Sequence, residues 1–241
     1  MHAQNHFAGQ AQVFARYAGL NQIHPPRIRG RLQFDYADLG PAAPLEWHFG
    51  WSDSARRRGK ALGRRHQFTI GAAWLYLLEL APATGSTPRS GTLWFPTGDP
   101  ERLIREIKAT ETGPVTVCLD PSAPAATRAA YERAGFSLLE YAATEPVDYD
   151  RPGGGPMTTL LAAFRKHERV ASDVASTPVL YGIAAGCEPA VYGGTTPATG
   201  VLAGPKIDLT SAREIADHEL GRAWMVPPGE LRRLFDWRER V

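Results

Sequence analysis

Along the chain, apolar positions fall into short runs whose period switches between that of helices and that of strands. Val13, Phe14, Tyr17 and Leu20 recur at helical spacing, which predicts an amphipathic helix over residues 11–20. Arg29-Gly-Arg-Leu-Gln-Phe alternates like a short strand, and residues 38–44 carry turn chemistry. A polar, basic stretch over residues 52–65 leads into Gln67-Phe-Thr-Ile and a helix predicted over residues 72–80. Residues 82–90, rich in Pro, Ser, Thr and Gly, read as a loop.

From Thr92 the pattern becomes regular. Thr92-Leu-Trp-Phe is an apolar run that ends in the turn Thr97-Gly-Asp-Pro, and Leu103, Ile104 and Ile107 then share one helical face. Val115-Thr-Val-Cys-Leu, bounded by Gly-Pro and Asp-Pro, suits a strand buried on both faces. A helix predicted over residues 124–134 stops at Gly135, and Phe136-Ser-Leu-Leu-Glu follows as a strand. After the turn-rich Pro152-Gly-Gly-Gly-Pro come a helix over 157–167, a strand at Arg169-Val-Ala-Ser, a helix over 178–185 and a strand at Pro189-Ala-Val-Tyr. Residues 214–237 read as two helices broken at Val226-Pro-Pro-Gly. Strands alternating with helices across short turns indicate an α/β, Rossmann-like parallel sheet with helices on both faces. Two parts are expected, residues 1–90 and residues 91–241.

Composition narrows this picture. The chain has 241 residues, 43% of them hydrophobic, with six Trp, nine Phe and eight Tyr, which excludes a disordered polymer and permits a large core. Its 24 Gly and 20 Pro, about 18% against an average of about 12%, fit many strand–helix junctions rather than a helical bundle. A net charge of +2 is too small to argue for nucleic acid. Cys118 and Cys187 lie far apart in apolar surroundings, which reads as two free, buried thiols in a reducing compartment. The N-terminal residues lack a cationic region followed by an apolar core, and the longest apolar stretch, residues 70–78, is far below the roughly 20 residues of a membrane span. A soluble, cytoplasmic protein is expected.

Candidate chemistry concentrates at strand ends. In Arg169-Val-Ala-Ser-Asp-Val-Ala-Ser-Thr-Pro, a strand leads through a turn carrying Ser172, Ser176 and Thr177 into a helix with Pro178 at its first position. Unsatisfied N–H groups and about half a positive charge at such a helix end favour phosphate, with the hydroxyls as further donors. The alternative is that Ser176 or Thr177 merely caps the helix. Thr97, Gly98 and Asp99 also follow a strand, where ligands are met in open α/β sheets; Asp99 is either an acid/base group or a helix cap. His48, in Glu46-Trp-His-Phe-Gly-Trp-Ser, is either an acid/base group or part of a packing segment with Trp47 and Trp51. The run Arg56 to Arg65 either neutralises a diphosphate or forms a solvated face. The other histidines form no metal-binding or nucleophile pattern, and no bound metal or cofactor is expected.

The segment from Val170 to Tyr192 resembles the C-terminal half of bacterial glycosyltransferases of GT-B architecture, nearest to surface or capsular polysaccharide biosynthesis and sialyltransferase-like proteins. Leu32-Gln33 followed by Trp47-His-Phe-Gly-Trp is similar to an interrupted form of that family's Gln-His-Gly-Trp element, and Ile70-Gly-Ala-Ala-Trp-Leu-Tyr, Glu219-Leu-Gly, Pro228-Gly-Glu-Leu-Arg and Phe235-Asp-Trp also match. Phe95-Pro departs from the family's Phe-Pro-x-His-like element, with Thr97-Gly-Asp-Pro in place of the histidine. The chain is also short for two complete Rossmann domains. Either residues 1–90 are a reduced acceptor half, or a partner subunit, as in a homodimer, completes the cleft.

The resemblance implies metal-independent transfer of a sugar from a nucleotide-sugar donor to a hydroxyl acceptor. Ser172, Ser176, Thr177, Thr97 and Gly98 would hold the donor, and His48 or Asp99 would act as base. Neither nucleic acid nor a membrane is an expected partner. A non-catalytic nucleotide- or sugar-phosphate-binding protein, or a nucleotide-sugar hydrolase or epimerase, would share the same fold.

Overall fold

Eight strands form two parallel sheets, and nine helices lie between and after them, among the residues that a computed structural model describes: 9–20, 28–36, 46–83, 88–141, 155–193, 202–204 and 207–237. The chain divides into two compact units. The first comprises Met1–Thr84, Thr144–Thr158 and Asp217–Val241, and the second comprises Gly85–Ala143 and Thr159–Ala216.

The second unit is built on the strands β4 (Thr92–Phe95), β5 (Val115–Leu119), β6 (Ser137–Glu140), β7 (Arg169–Ser172) and β8 (Glu188–Val191), all parallel, in the order β6-β5-β4-β7-β8. Helices α4 (Pro100–Thr110), α5 (Ala125–Arg133), α6 (Pro156–Lys166) and α7 (Thr177–Ala184) supply the crossovers. On one face Trp94, Val117, Ala171 and Ala190 are lateral neighbours on four strands and share a core with Ile107 of α4 and Tyr131 of α5. Full burial of a side chain such as Val117 or Ile107 contributes about 1.5–3 kcal/mol over leaving it in water. On the other face α7 lies so close to β7 that a Cβ on Gly182 would meet Val170 Cγ1 at 2.7 Å and Phe164 Cε1 of α6 at 2.9 Å. The expected stop of α5 is present: Gly135 follows the helix with φ +92°, in the left-handed region.

The first unit holds a smaller parallel sheet, β1 (Arg31–Leu32), β2 (His48–Gly50) and β3 (Gln67–Thr69), with α1 (Gln10–Tyr17), α2 (Asp53–Ala61), α3 (Ala73–Leu80) and α9 (Pro228–Leu234). The apolar face of this unit gathers aromatic rings. Phe14 of α1 meets Tyr76 of α3 edge-on at 5.0 Å, and Phe235 meets Phe49 at 4.9 Å and Phe14 at 5.8 Å. Helix α8 (Leu209–Leu220) crosses the boundary at Asp217, and its last residue belongs to the first unit, where Ala72 N donates to Leu220 O at 2.8 Å.

Three boundaries differ from expectation. The break near residue 90 has its counterpart at Thr84, but residues 217–241 cluster with the first unit, because Leu231, Phe235 and Trp237 are buried in its aromatic face. Helix α8 begins at Leu209 rather than near Glu214, since Asp208 caps it by accepting from Ser211 N at 2.8 Å. It stops at Leu220 rather than at the prolines, because Gly221 takes φ +74°. Residues 38–44 and most of the Pro152–Pro156 turn lie outside the described residues. Cys118 and Cys187 are both free and buried, and burial pushes each thiol up to about 12. Among the described residues no helix is long and apolar enough to cross a membrane.

Candidate functional site

In the larger sheet the strand order reverses between β4 and β7: one set of crossovers runs from β4 outward to β6, the other from β7 to β8. Carboxyl ends of strands at such a reversal leave a crevice, because the two crossover connections turn away from each other. Here the crevice lies between the turn after β4 and the turn after β7.

The two turns are tied together by side chains. Asp173, directly after β7 and only 4% exposed, accepts from Thr97 N at 2.8 Å and from Thr97 Oγ1 at 2.9 Å. Arg102 Nη2 of α4 approaches the same carboxylate at 3.4 Å. A buried carboxylate is tolerated only with such charged and N–H partners. One residue earlier, the fully buried Ser172 donates to Phe95 O at 2.6 Å and accepts from Val174 N at 3.3 Å. Ser172 therefore sits beneath the crevice, with its proton committed to β4.

Thr97, Gly98 and Asp99 are exposed on the rim. Asp99 caps α4, its Oδ2 accepting from Arg102 N at 2.8 Å. A Cβ on Gly98 would lie 2.6 Å from Arg102 Nη2, the movable end of an exposed side chain, and 3.0 Å from Asp173 Oδ2. Ser176 occupies the N-cap position of α7, but its side chain makes no capping bond. Its Oγ is shielded from solvent and has no protein hydrogen-bond partner. Thr177 is the first residue of α7 and is buried. Thr97, Gly98, Asp99, Ser172, Ser176 and Thr177 thus all belong to the two turns at one strand reversal.

Sequence pattern alone does not single out two members of this cluster. Asp173 adjoins Ser172 and follows a strand just as Asp99 does, so strand-end position is the available signal. Tyr131 carries no such signal, because its helix position looks like core. Its ring is 1% exposed and its hydroxyl has no protein partner. Burial first, then the Asp173 and Asp99 carboxylates, push this phenol up to about 12, with Arg102 opposing.

His48 belongs to the first unit, as the first residue of β2. Its side chain is buried, with Nε2 3.9 Å from Glu46 Oε2. The two segments around it are neighbours: Gln33 N donates to Phe49 O, and Trp51 donates both its backbone N, to Gln33 Oε1, and its indole N–H, to Gln33 O, each at 2.9 Å. Trp51 is a core residue, whereas Trp47 is 45% exposed and leans on Phe68. Of the basic run, Arg56, Arg57, Lys60 and Arg65 are exposed, and Arg58 reaches Tyr36 O at 3.0 Å and Glu219 Oε2 at 3.5 Å. Across the small sheet, Arg31, His48 and Gln67 are register partners, so they share one face, which also lines a pocket.

Among the described residues no three His, Cys, Asp or Glu side chains gather as a metal site. No protein-family model matches the sequence, and no curated protein is significantly similar to it.

Proposed function

We propose that the chain is a metal-independent glycosyltransferase of GT-B type, moving a sugar from a nucleotide-sugar donor to a hydroxyl acceptor, with the donor phosphate at the carboxyl edge of the larger sheet. The observation that carries this reading is Ser176 Oγ, a shielded hydroxyl with no protein partner at the N-terminus of α7, beside the strand reversal. An unsatisfied hydroxyl and the first N–H groups of a helix suit the same guest, an anion.

Charge decides which helix end receives it. The N-terminus of α4 already faces the carboxylates of Asp99 and Asp173, which would repel a phosphate. No acidic side chain lies in the first turn of α7. The leaving phosphate is therefore assigned to Ser176, Thr177 and the α7 N–H groups, which stabilise charge as the glycosidic bond to phosphate breaks. Thr97 and Gly98 shape the neighbouring wall, and Ser172 positions it by tying β7 to β4. The acceptor hydroxyl loses its proton to Asp99, on the rim of the same strand ends.

Calorimetric titration with CMP, CDP, UDP, GDP and ADP tests the site. One nucleotide should bind, and Ser176→Ala should weaken it about tenfold, the worth of one hydrogen bond to a charged group. Unchanged affinity in Ser176→Ala would overturn the assignment. A second reading, a nucleotide-sugar-binding protein without turnover, draws support from Asp99, whose carboxylate serves as a helix cap. Release of sugar from the bound donor, with or without acceptor, separates a transferase, a hydrolase and a binder.

A further inference from the structure

The core between the larger sheet and helices α4 and α5 is apolar in all but a few atoms. Trp94, Val117 and Ala171 meet Ile107 and Tyr131 there. Among the described residues of this core, two polar atoms have no protein hydrogen-bond partner. One is the hydroxyl of Tyr131, a residue 1% exposed, and the other is the indole N–H of the fully buried Trp94. Native cores seldom leave such groups unpaired, because each has given up its hydrogen bonds to water. A tyrosine on this face can be satisfied: the ring of Tyr192 stacks on Trp94 at 5.1 Å, and its hydroxyl donates to Glu111 Oε1 at 3.0 Å.

Tyr131 differs from Trp94 in its surroundings. Asp173 lies two residues beyond Ala171, so strand alternation continued past β7 puts it on the same face as this core. The carboxylates of Asp173 and Asp99 and the guanidinium of Arg102 all act on the Tyr131 phenol, so its hydroxyl lies at the crevice end of the core. Asp173 keeps acceptor capacity, because each carboxylate oxygen carries two lone pairs. Its Oδ1 takes the Thr97 N–H and its Oδ2 takes the Thr97 hydroxyl. Arg102 Nη2 stands at 3.4 Å, long for a hydrogen bond, on a side chain 52% exposed. That side chain can swing aside while Thr97 still holds the carboxylate.

A ligand group that fills this place must accept from a neutral phenol while standing beside two carboxylates. An anion accepts, but Asp99 and Asp173 repel it. An ammonium suits the carboxylates but has no lone pair to offer the phenol. A hydroxyl meets both demands, accepting from Tyr131 and donating to Asp173. We infer that Tyr131 and Asp173 recognise a sugar hydroxyl at the carboxyl ends of β4 and β7, Tyr131 as donor and Asp173 as acceptor. The choice of a sugar rests on the reading of this crevice as a nucleotide-sugar site. The phosphate then lies at α7, and a sugar ring, either the ribose of the nucleotide or the transferred sugar, lies on the α4 side.

NMR titration of the full chain with methyl β-D-ribofuranoside, methyl α-D-glucopyranoside and inorganic phosphate tests the proposal. At least one glycoside should bind, and Tyr131→Phe should weaken it about fivefold, the worth of one neutral hydrogen bond, while leaving phosphate unchanged. Ser176→Ala should do the reverse, so the two halves of the crevice fail separately. Tighter binding of the ribofuranoside assigns the hydroxyl to the nucleotide's ribose, and tighter binding of the glucopyranoside to the transferred sugar. Equal binding assigns a site that reads a hydroxyl of either ring. Circular dichroism confirms folding. If Tyr131→Phe unfolds, amide exchange over residues 125–133 of the wild-type chain carries the test: glycoside should slow it, and unchanged exchange overturns the proposal. The proposal is also overturned if neither glycoside binds, or if Tyr131→Phe weakens phosphate as much as glycoside. Glycoside binding by Tyr131→Phe equal to that of the wild type would overturn it too, and would give the hydroxyl to an internal water. Unchanged phosphate binding in Ser176→Ala would remove the α7 assignment alone.

Discussion

Two side chains with opposite needs meet at the strand reversal. Asp173 is a buried carboxylate whose oxygens are satisfied by the Thr97 N–H and hydroxyl. Tyr131 is a buried neutral group with no protein partner, near the same carboxylate. Ionising Tyr131 would place a second negative charge there, so the folded chain keeps that proton up to about pH 12, against an ordinary tyrosine value of 10.0. The folded state thus binds more protons than the unfolded state between these values. Stability from this group is complete below about pH 10 and is lost as pH rises towards 12. Tyr131→Phe should therefore shift the alkaline unfolding midpoint upward while leaving neutral-pH stability unchanged or raised, because the lost hydroxyl had no protein partner. Urea melts at pH 7 and at pH 11 check both halves. A drop at pH 7 would mean that the hydroxyl holds a bond in the free protein.

At the scale of elements, the larger sheet was legible because β4, β5, β7 and β8 are mostly apolar, buried runs that end near Pro, Asp or Gly, whereas the edge strand β6 was marked by the Gly135 turn before it. The strand order was not legible, since pairing depends on contacts between runs rather than on any one run. Likewise, β2 hid in Glu46-Trp-His-Phe-Gly-Trp, whose polar alternates go to a covered face instead of to solvent. The Ser176 turn was recognisable from its residues, but Asp173 gained meaning only when β7 was set beside β4. That placement leans on Gly182. A helix-interior Gly→Ala change ordinarily gains up to about 1 kcal/mol, whereas overpacking a core costs about 1–3 kcal/mol. With Val170 Cβ at 2.8 Å and Cγ1 at 2.7 Å from the new methyl, the clash wins. Gly182→Ala should lower the urea midpoint, while Gly229→Ala in α9, where a Cβ meets nothing within 4 Å, should not. Equal midpoints for the two would show that α7 yields without loss.

At the scale of the whole chain, the first unit is assembled from three stretches of sequence separated by the second. Its early elements cannot bury their apolar face alone: Phe14 and Phe49 are each 1% exposed, and both rest on Phe235 from the far end of the chain. Arg232 Nε fixes the same segment by donating to Ala18 O at 2.6 Å. Closing so long a loop adds little entropy per added residue, because the cost rises only with the logarithm of length. Burial of apolar surface must still outweigh that cost, and Phe235 supplies the ring that joins the two early elements to the C-terminal segment. Phe235→Ala should thus destabilise the first unit by about 3–5 kcal/mol, the usual loss for an aromatic deleted from a core. Native-state hydrogen exchange reads the effect locally. Amides of residues 10–17 and 48–50 should lose protection, while those of β5 and β7, whose partner strands all lie in the second unit, should keep theirs. Equal loss in β5 and β7 would show that the C-terminal segment supports both units rather than closing one.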